Sequence, residues 1–232
     1  SVTTMHQMFK GMALFDQSVV ALDTSSVATM EEMFENADDF TQHVAFDCGA
    51  ATTMKQMFGL MALFNGALDL DTTLVTDMRE MFEEADAFDQ AVSLDTASVT
   101  TMFQMFYHAD AFNQPVSFDT RKVTTMYGMF DSAIVFDQAI SFDTGSVTTL
   151  EQMFEVASAF DSPLLFDTRL VQDMGYMLRN AASFDQPLSF DVSSVTSIHQ
   201  MFDGTTSLSD CNKRAIEDSL SVSSAWTYDW SS

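Results

Sequence analysis

A Met-Phe pair returns at a nearly constant interval through most of the chain, and this repeat restricts the fold more than any other feature. The first interval is 25 residues and the later ones are 24, which gives nine repeats in a chain of 232 residues. Repeats of this length are typical of proteins in which similar units stack on one another. The repeats, numbered 1 to 9, are marked by Met8, Met33, Met57, Met81, Met105, Met129, Met153, Met177 and Met201, of which Met177 precedes Leu178 instead of Phe.

The unusual content of 22 Phe and 18 Met follows from the repeat. The consensus is V-T-T-M-x-x-M-F-x-x-A-x-x-F-D-Q-x-V-S-F-D-T-x-S, and residues 99–122 are a good copy. Met and Phe keep to fixed positions of the consensus, so each is expected to contact its own copies in neighbouring repeats. Phe106, for example, is predicted to lie buried between Phe82 and Phe130. A Met-rich binding surface is the alternative interpretation.

Two periodicities within one repeat predict its local structure. V-S-F-D alternates apolar and polar residues, as a short strand does, whereas M-x-x-M-F-x-x-A has the i, i+3, i+4, i+7 spacing of one helical face. Thr101 with Gln104 three residues later resembles a capping box. The sequence therefore predicts an α/β solenoid, a right-handed leucine-rich-repeat-like stack of nine 24-residue coils with short parallel strands and short helices.

The last clear repeat ends near Leu208, so we predict a repeat solenoid over 1–208 and a C-terminal aromatic cap over 209–232. Trp226, Tyr228 and Trp230 alternate in this cap, like a short strand or an aromatic plug. Terminal segments of repeat arrays are atypical because they cover the core of the last repeat.

The chain begins in mid-repeat, as a protein trimmed or processed upstream would. We expect an open edge whose backbone donors lack partners, and such an edge with apolar surface favours end-on self-association. The apolar residues expected to be partly uncovered there are Val2, Met5, Met8, Phe9 and Phe15.

The charge balance excludes several classes of partner. Lys and Arg total 9 against 34 Asp and Glu, a formal net charge of −25. Nucleic acids and anionic membrane surfaces both require basic residues, so neither is expected as a partner. No apolar run is long enough for membrane insertion. Cys48 and Cys211 lie nearly seven repeats apart, too far for an intramolecular disulfide.

One aspartate recurs at the same position of eight repeats, in the motif D-T-x-S. Asp in such a motif accepts hydrogen bonds from backbone N–H groups two residues on, which is the preferred interpretation. A row of calcium ions between repeats is the alternative, because Ca²⁺ binds several carboxylates and carbonyls together. We predict no metal site and no cofactor; the calcium candidates under the alternative are Asp71, Asp95, Asp119, Asp143 and Asp167.

Two further polar columns run along the repeats. In the Asp/Asn-Gln column, Asp and Asn replace each other freely, as in Asp89 and Asn113, which favours a ladder bonded to the next repeat's backbone over a metal site. In the Thr column, pairs such as Thr100 and Thr101 recur. Regular Thr arrays can bind ice, but the capping box already accounts for the second Thr of each pair.

Catalysis is not expected. The four His residues share no site, since only His6 and His199 occupy one column, with His43 and His108 elsewhere. No Ser-His-Asp or Cys-His arrangement falls within one repeat, and no phosphate-binding loop occurs. The chain is therefore predicted not to be an enzyme.

The motifs V-T-x-M, M-F-x-x-A-x-x-F-[DN]-Q and [FL]-D-T-x-S-V resemble those of a known family. They are similar to the BspA-like bacterial surface leucine-rich repeats and to the related Listeria and Mycoplasma lipoprotein repeat, which has Trp where this chain has Phe and is one residue longer. The C-terminal C-N-K-R-A-I…A-W-T-Y-D-W-S resembles repeat proteins of marine microalgae. The resemblance covers residues 1 to about 208 and implies a secreted or cell-surface, non-catalytic solenoid used in adhesion or recognition.

These observations predict a non-enzymatic extracellular or cell-surface scaffold for recognition or adhesion that binds a protein or a glycan. The first alternative is an acidic structural or Ca²⁺-binding wall component, since the charge of −25 attracts cations. The second is an assembly element stacked end-on in a larger complex, and ice binding is a further one.

Overall fold

The computed structural model describes residues 2–230, in which consecutive repeats pair through their backbones. β1 (Val44–Phe46) and β2 (Leu68–Leu70) form an open, parallel, two-stranded sheet. α1 (Asp210–Leu220) follows the repeats and is the one helix of the described residues. It is neither long nor apolar enough to cross a membrane, and residues 2–230 contain no helix that is. Residues 231 and 232 of the predicted cap lie outside the described range.

The most regular backbone pairing lies at V-T-T-M, not at the predicted strand. Each repeat forms a single parallel bridge with the next at the second Thr of this motif, or at the Asp or Ser that replaces it. The strand prediction for V-S-F-D holds at β1 and β2, whereas in the other described repeats that segment lies outside any strand. The bridged residues are Thr4, Thr29, Thr53, Asp77, Thr101, Thr125, Thr149, Asp173 and Ser197.

The short helix predicted in each repeat is wrong. The segment is a chain of tight turns with left-handed residues, such as Gln104 at φ 48°. The N–H of Met105 closes a turn onto the carbonyl of Met102 at 3.4 Å, whereas that of Phe106 donates to Met129 in the next repeat at 2.9 Å. Successive four-residue turns bury the same i, i+3, i+4, i+7 positions as a helix, so apolar spacing does not separate the two structures.

The predicted capping box is wrong for the same reason. Thr101 Oγ1 accepts from the N–H of Phe103, two residues on, at 3.4 Å. Gln104 is left-handed, which excludes a helical position. Its N–H donates to the carbonyl of Tyr127 in the next repeat at 2.9 Å. Bonds between repeats therefore replace the intrahelical bonds that the motif suggests.

A branched residue in a left-handed position is strained, because its Cβ approaches the following carbonyl. Val156 has φ 56°, while the corresponding residues of repeats 2 and 8 are Asn36 at 58° and Asn180 at 59°. Asn tolerates this conformation, so we expect Val156→Asn to raise the free energy of unfolding by about 1 kcal/mol in urea denaturation. Val135→Asn, at a 40% exposed position, is the control and should be neutral. Equal stabilisation by both changes would contradict this account.

The core consists of stacked columns of Phe and Met, as predicted. Phe106 is fully buried, with ring centroids 5.3 Å from Phe82 and 5.4 Å from Phe130. Phe112 of the same repeat stacks on it at 4.2 Å, so neighbouring columns merge into one core. The Met residues are buried as well, apart from two in repeat 1. They belong to the core, so the alternative of a Met-rich binding surface is wrong for repeats 2 to 9.

The segment after the repeats packs on repeat 9. α1 buries Ile216 and Leu220 against the core. Beyond it, three aromatic rings surround Phe202 with centroids 5.4 to 6.3 Å away. They form a plug rather than a strand. The three residues are Trp226, Tyr228 and Trp230.

Repeat 1 presents an apolar edge that differs in detail from the expected one. Val2 is 57% and Met8 46% exposed, and Phe9 and Phe15 are partly buried, but Met5 is buried. In the turn segment, donors of each repeat point to the next repeat. In V-T-T-M the N–H of the first Thr donates to the preceding repeat, as that of Thr52 does to Ala28, so among the described residues the N–H of Thr3 is an open donor at the edge, as expected. In the turn segment the groups left without a partner within residues 2–230 are instead carbonyls. They are the carbonyls of Thr4, His6, Met8 and Lys10.

Candidate binding face

The aspartate of D-T-x-S closes the same turn in repeats 1 to 8, which confirms the turn interpretation. Its Oδ1 accepts from the N–H two residues on at 2.9 to 3.3 Å. In repeat 5, hydrogen bonds from the side chain of Arg121 lower the pKa of Asp119 to about 2, and Arg169 lowers the pKa of Asp167 in the same way. The Thr73 hydroxyl lowers the pKa of Asp71.

The calcium candidates Asp71, Asp95, Asp119, Asp143 and Asp167 all belong to this column. In each of them one carboxylate oxygen is engaged by the turn. In residues 2–230 no three carboxylate, imidazole or thiol groups are grouped so that they could hold a metal ion.

We expect CaCl₂ to leave the Tm unchanged in differential scanning fluorimetry. Asp95→Asn should preserve or raise the Tm, because the amide oxygen still accepts from the N–H of Ala97 and one like charge leaves the column. A calcium-dependent rise of the Tm that Asp95→Asn abolishes would support the metal site instead.

The Asp/Asn-Gln column forms the predicted ladder. Each Asp or Asn Oδ1 accepts from the backbone N–H at the same position of the next repeat at 2.7 to 3.0 Å. Gln side chains add a second donor, as Gln114 Nε2 does to Asp89 Oδ1 at 2.9 Å. The ladder ends at Asp185, which accepts from Ser209, the N-cap residue of α1.

Two Thr columns fix the repeats to one another. The exposed first Thr of V-T-T-M, such as Thr100, donates to the preceding repeat's carbonyl at 3.0 to 3.3 Å. The Thr of D-T-x-S, such as Thr120, is buried and donates to the next repeat's Asp carbonyl at 2.8 to 2.9 Å. Cys48 replaces this Thr in repeat 2, is a free thiol, and has a pKa that burial raises to about 12.

One outward column has no continuous ladder of side-chain hydrogen bonds between repeats, and its residue varies from repeat to repeat. It is the residue directly after the first Met of M-x-x-M-F, and we call it the outer strip. In eight repeats its N–H donates to the side chain two residues earlier at 2.8 to 3.4 Å. From repeat 2 onward its carbonyl accepts from the preceding repeat. The strip consists of His6, Glu31, Lys55, Arg79, Phe103, Tyr127, Glu151, Gly175 and His199.

The middle of the outer strip places two cations beside two aromatic rings. The rings of Phe103 and Tyr127 stack at 4.9 Å with an interplanar angle of 8°. Arg79 folds back onto Asp77, with Nε 2.9 Å from Oδ1 and Nη2 2.6 Å from Oδ2. Lys55 Nζ lies 3.6 Å from Glu80 Oε2 in the neighbouring repeat. The charges in this region therefore compensate one another, in contrast to the chain as a whole.

An open groove of about 690 Å³ lies against this part of the strip. Its walls combine Thr hydroxyls, the two ion pairs and one aromatic ring. This is the mixture of polar groups and an aromatic surface that small-molecule sites use. The lining residues are Lys55, Thr76, Asp77, Arg79, Glu80, Thr100, Thr101, Phe103 and Thr125.

The DUF285 model, described as a Mycoplasma protein of unknown function, matches the chain over residues 1–71, 52–164 and 116–216. The overlapping matches span far more than half of the chain. The chain belongs to the DUF285 family. No curated protein and no solved structure matches it. For this DUF285 chain the comparison supports an array of repeated units, and the ligand has to be sought in its own residues.

The outer strip was missed in the sequence because its position is an x in the consensus. A signal was nevertheless present. The residue before this position is Met in seven of the nine repeats, whereas the position itself changes from Lys55 and Arg79 to Phe103 and Tyr127. Repeat proteins use their extended surfaces for binding, so an outward position that varies within a constant framework is a candidate for such a surface.

Proposed function

We propose that the chain is a non-enzymatic recognition scaffold, exposed at the cell surface or secreted, that binds a protein or a glycan through the outer strip. In this proposal the nine repeats form a right-handed, leucine-rich-repeat-like solenoid of the BspA-like kind. The right hand follows from the preference of parallel strand connections. The extracellular location rests on the resemblance of the repeat motifs to surface proteins.

The observation that carries the proposal is the outer strip itself. Side-chain and inter-repeat hydrogen bonds hold its backbone whatever residue occupies it. The framework therefore places no demand on these side chains, and the stacked rings of Phe103 and Tyr127 lie outside the core, where a ligand can cover them. Aromatic residues and Arg are enriched in binding surfaces.

The experiment compares two variants, matched in the number of substitutions and in charge change, on a printed array of glycans and purified proteins. In the strip variant, Lys55, Arg79, Phe103 and Tyr127 are all replaced by Ser. In the control variant, two cations, an aromatic residue and an apolar residue elsewhere on the surface are replaced by Ser. The control positions are Lys122, Arg214, Tyr107 and Leu165.

We expect the parent and the control variant to bind the same members of the array, and the strip variant to lose them. Circular dichroism should show that all three proteins are folded. Binding that survives in the strip variant would assign recognition to another face, and binding by none of the folded proteins would contradict the proposal. Antibody staining of intact against permeabilised cells, with an immunoblot of the culture medium, tests the location, and protein detected only after permeabilisation and not in the medium would contradict it.

A further inference from the structure

We infer that the groove beside Phe103 binds an uncharged oligosaccharide. This inference rests on the proposed function and narrows it to one ligand class and one part of the outer strip. The volume of about 690 Å³ lies within the range of small-ligand sites, and four successive repeats line the groove.

The stacked aromatic pair supplies a platform. Tyr127 of repeat 6 covers one face of the Phe103 ring, and the rings are nearly parallel at 8°. The opposite face of Phe103 therefore points along the array towards repeat 4, where Arg79 is drawn aside onto Asp77. Phe103 is only half-buried and lines the groove. The apolar C–H face of a sugar ring fits such an open aromatic face.

The groove walls supply hydrogen-bonding groups of the kind that sugar hydroxyls require. Arg79 uses Nε and Nη2 on Asp77, which leaves Nη1 free to donate. The hydroxyls of Thr76 and Thr100 already donate to backbone carbonyls, so they offer acceptor lone pairs to the groove. The groove thus offers both donors and acceptors beside the aromatic platform, as a ligand with many hydroxyl groups demands.

The charges favour a neutral ligand over a charged one. Each cation of the groove is paired with an acid, Lys55 with Glu80 and Arg79 with Asp77. The rest of the chain contributes a net charge of −25, which repels sulfated or uronic polysaccharides and phosphates. A base or another flat aromatic ligand could stack on Phe103, but nucleic acid would bring its phosphates into this field.

The test uses isothermal titration calorimetry of the full chain with five uncharged probes: cellohexaose, laminarihexaose, mannohexaose, maltohexaose and chitohexaose. We expect at least one to bind with little dependence on NaCl concentration. Phe103→Ser should weaken that binding about tenfold or more. Tyr107→Ser removes an aromatic residue of the same repeat outside the groove and should leave the affinity unchanged. Circular dichroism and the Tm establish that both variants are folded.

Several outcomes would overturn the inference. These are no binding of any of the five probes, binding that Phe103→Ser leaves intact, and binding of dextran sulfate in preference to the neutral sugars with a steep salt dependence. The array experiment separates this failure from failure of the proposed function. If the parent binds a protein or a charged glycan on the array and the strip variant does not, recognition through the strip stands. Only the assignment of a neutral oligosaccharide as the ligand is then wrong.

Discussion

Phe106→Ala is expected to lower the free energy of unfolding by about 3–5 kcal/mol, because it removes a fully buried ring and leaves a cavity in the core. The ring contacts Phe82 and Phe130 along the column and Phe112 within the repeat. Relaxation into the cavity is limited because backbone hydrogen bonds hold both adjacent repeats in register. Urea denaturation followed by circular dichroism gives the free energy.

The shape of the unfolding curve carries a second expectation. Each repeat contacts its neighbours, so a defect in repeat 5 weakens coupling between the two halves of the array. We expect the single transition of the parent to broaden or split in the variant. Phe103→Ala is the control. Its half-buried ring lies two residues before Met105, and its removal should lower the free energy of unfolding by under about 1 kcal/mol. A similar loss in both variants would show that burial in the column is not what stabilises Phe106.

The core could be predicted from the sequence because identical residues recur at one interval. Phe106 has Phe82 and Phe130 at the same position of the adjacent repeats, so stacking of the repeats forces the rings together whatever the local backbone is. The ladder through Asp89 and Asn113 was predictable for a related reason. Asp and Asn share the acceptor oxygen that such a ladder requires, whereas the exchange changes the charge that a metal site would use.

The turns could not be predicted in the same way. A helix and a chain of turns bury the same positions, and Gln104 in a left-handed conformation contradicts its usual preference. What decides between them is the neighbouring repeat, whose carbonyls accept the N–H groups that a helix would use internally. The groove beside Phe103 was missed for another reason, since it is made by four different repeats and no single copy of the consensus contains it.

The second large effect concerns a buried carboxyl group on the turn segments. Asp131 is 7% exposed, and its Oδ1 accepts from the Ser132 hydroxyl at 2.9 Å. Burial raises the pKa of Asp131 to about 6, the hydrogen bond from Ser132 opposes this, and the charge of Glu155 adds to it. Coulombic interactions with His108 and Arg179 lower the pKa of Asp131. The chain thus carries an acid that is harder to ionise in the folded than in the unfolded protein.

The sign of the pH dependence follows from these values. Between about pH 4 and pH 6 the folded protein holds a proton on Asp131 that the unfolded protein has released, so stability falls as the pH rises. Above pH 6 the full cost of the buried charge is present, which for a shift of about two units is about 2–3 kcal/mol. Asp131→Asn should therefore stabilise the protein by about this amount at pH 7 and have little effect at pH 4.

Denaturation in urea at pH 4, 5, 6 and 7 measures this difference between the parent and Asp131→Asn. Asp137→Asn is the matched control, because its column already holds Asn at Asn113 and its side chain is exposed. It removes one negative charge without removing a buried one, so its effect should not change through the same pH range. If Asp131→Asn were destabilising at pH 7, the buried carboxylate would be held by the Arg179 charge and the Ser132 hydroxyl strongly enough to offset its desolvation.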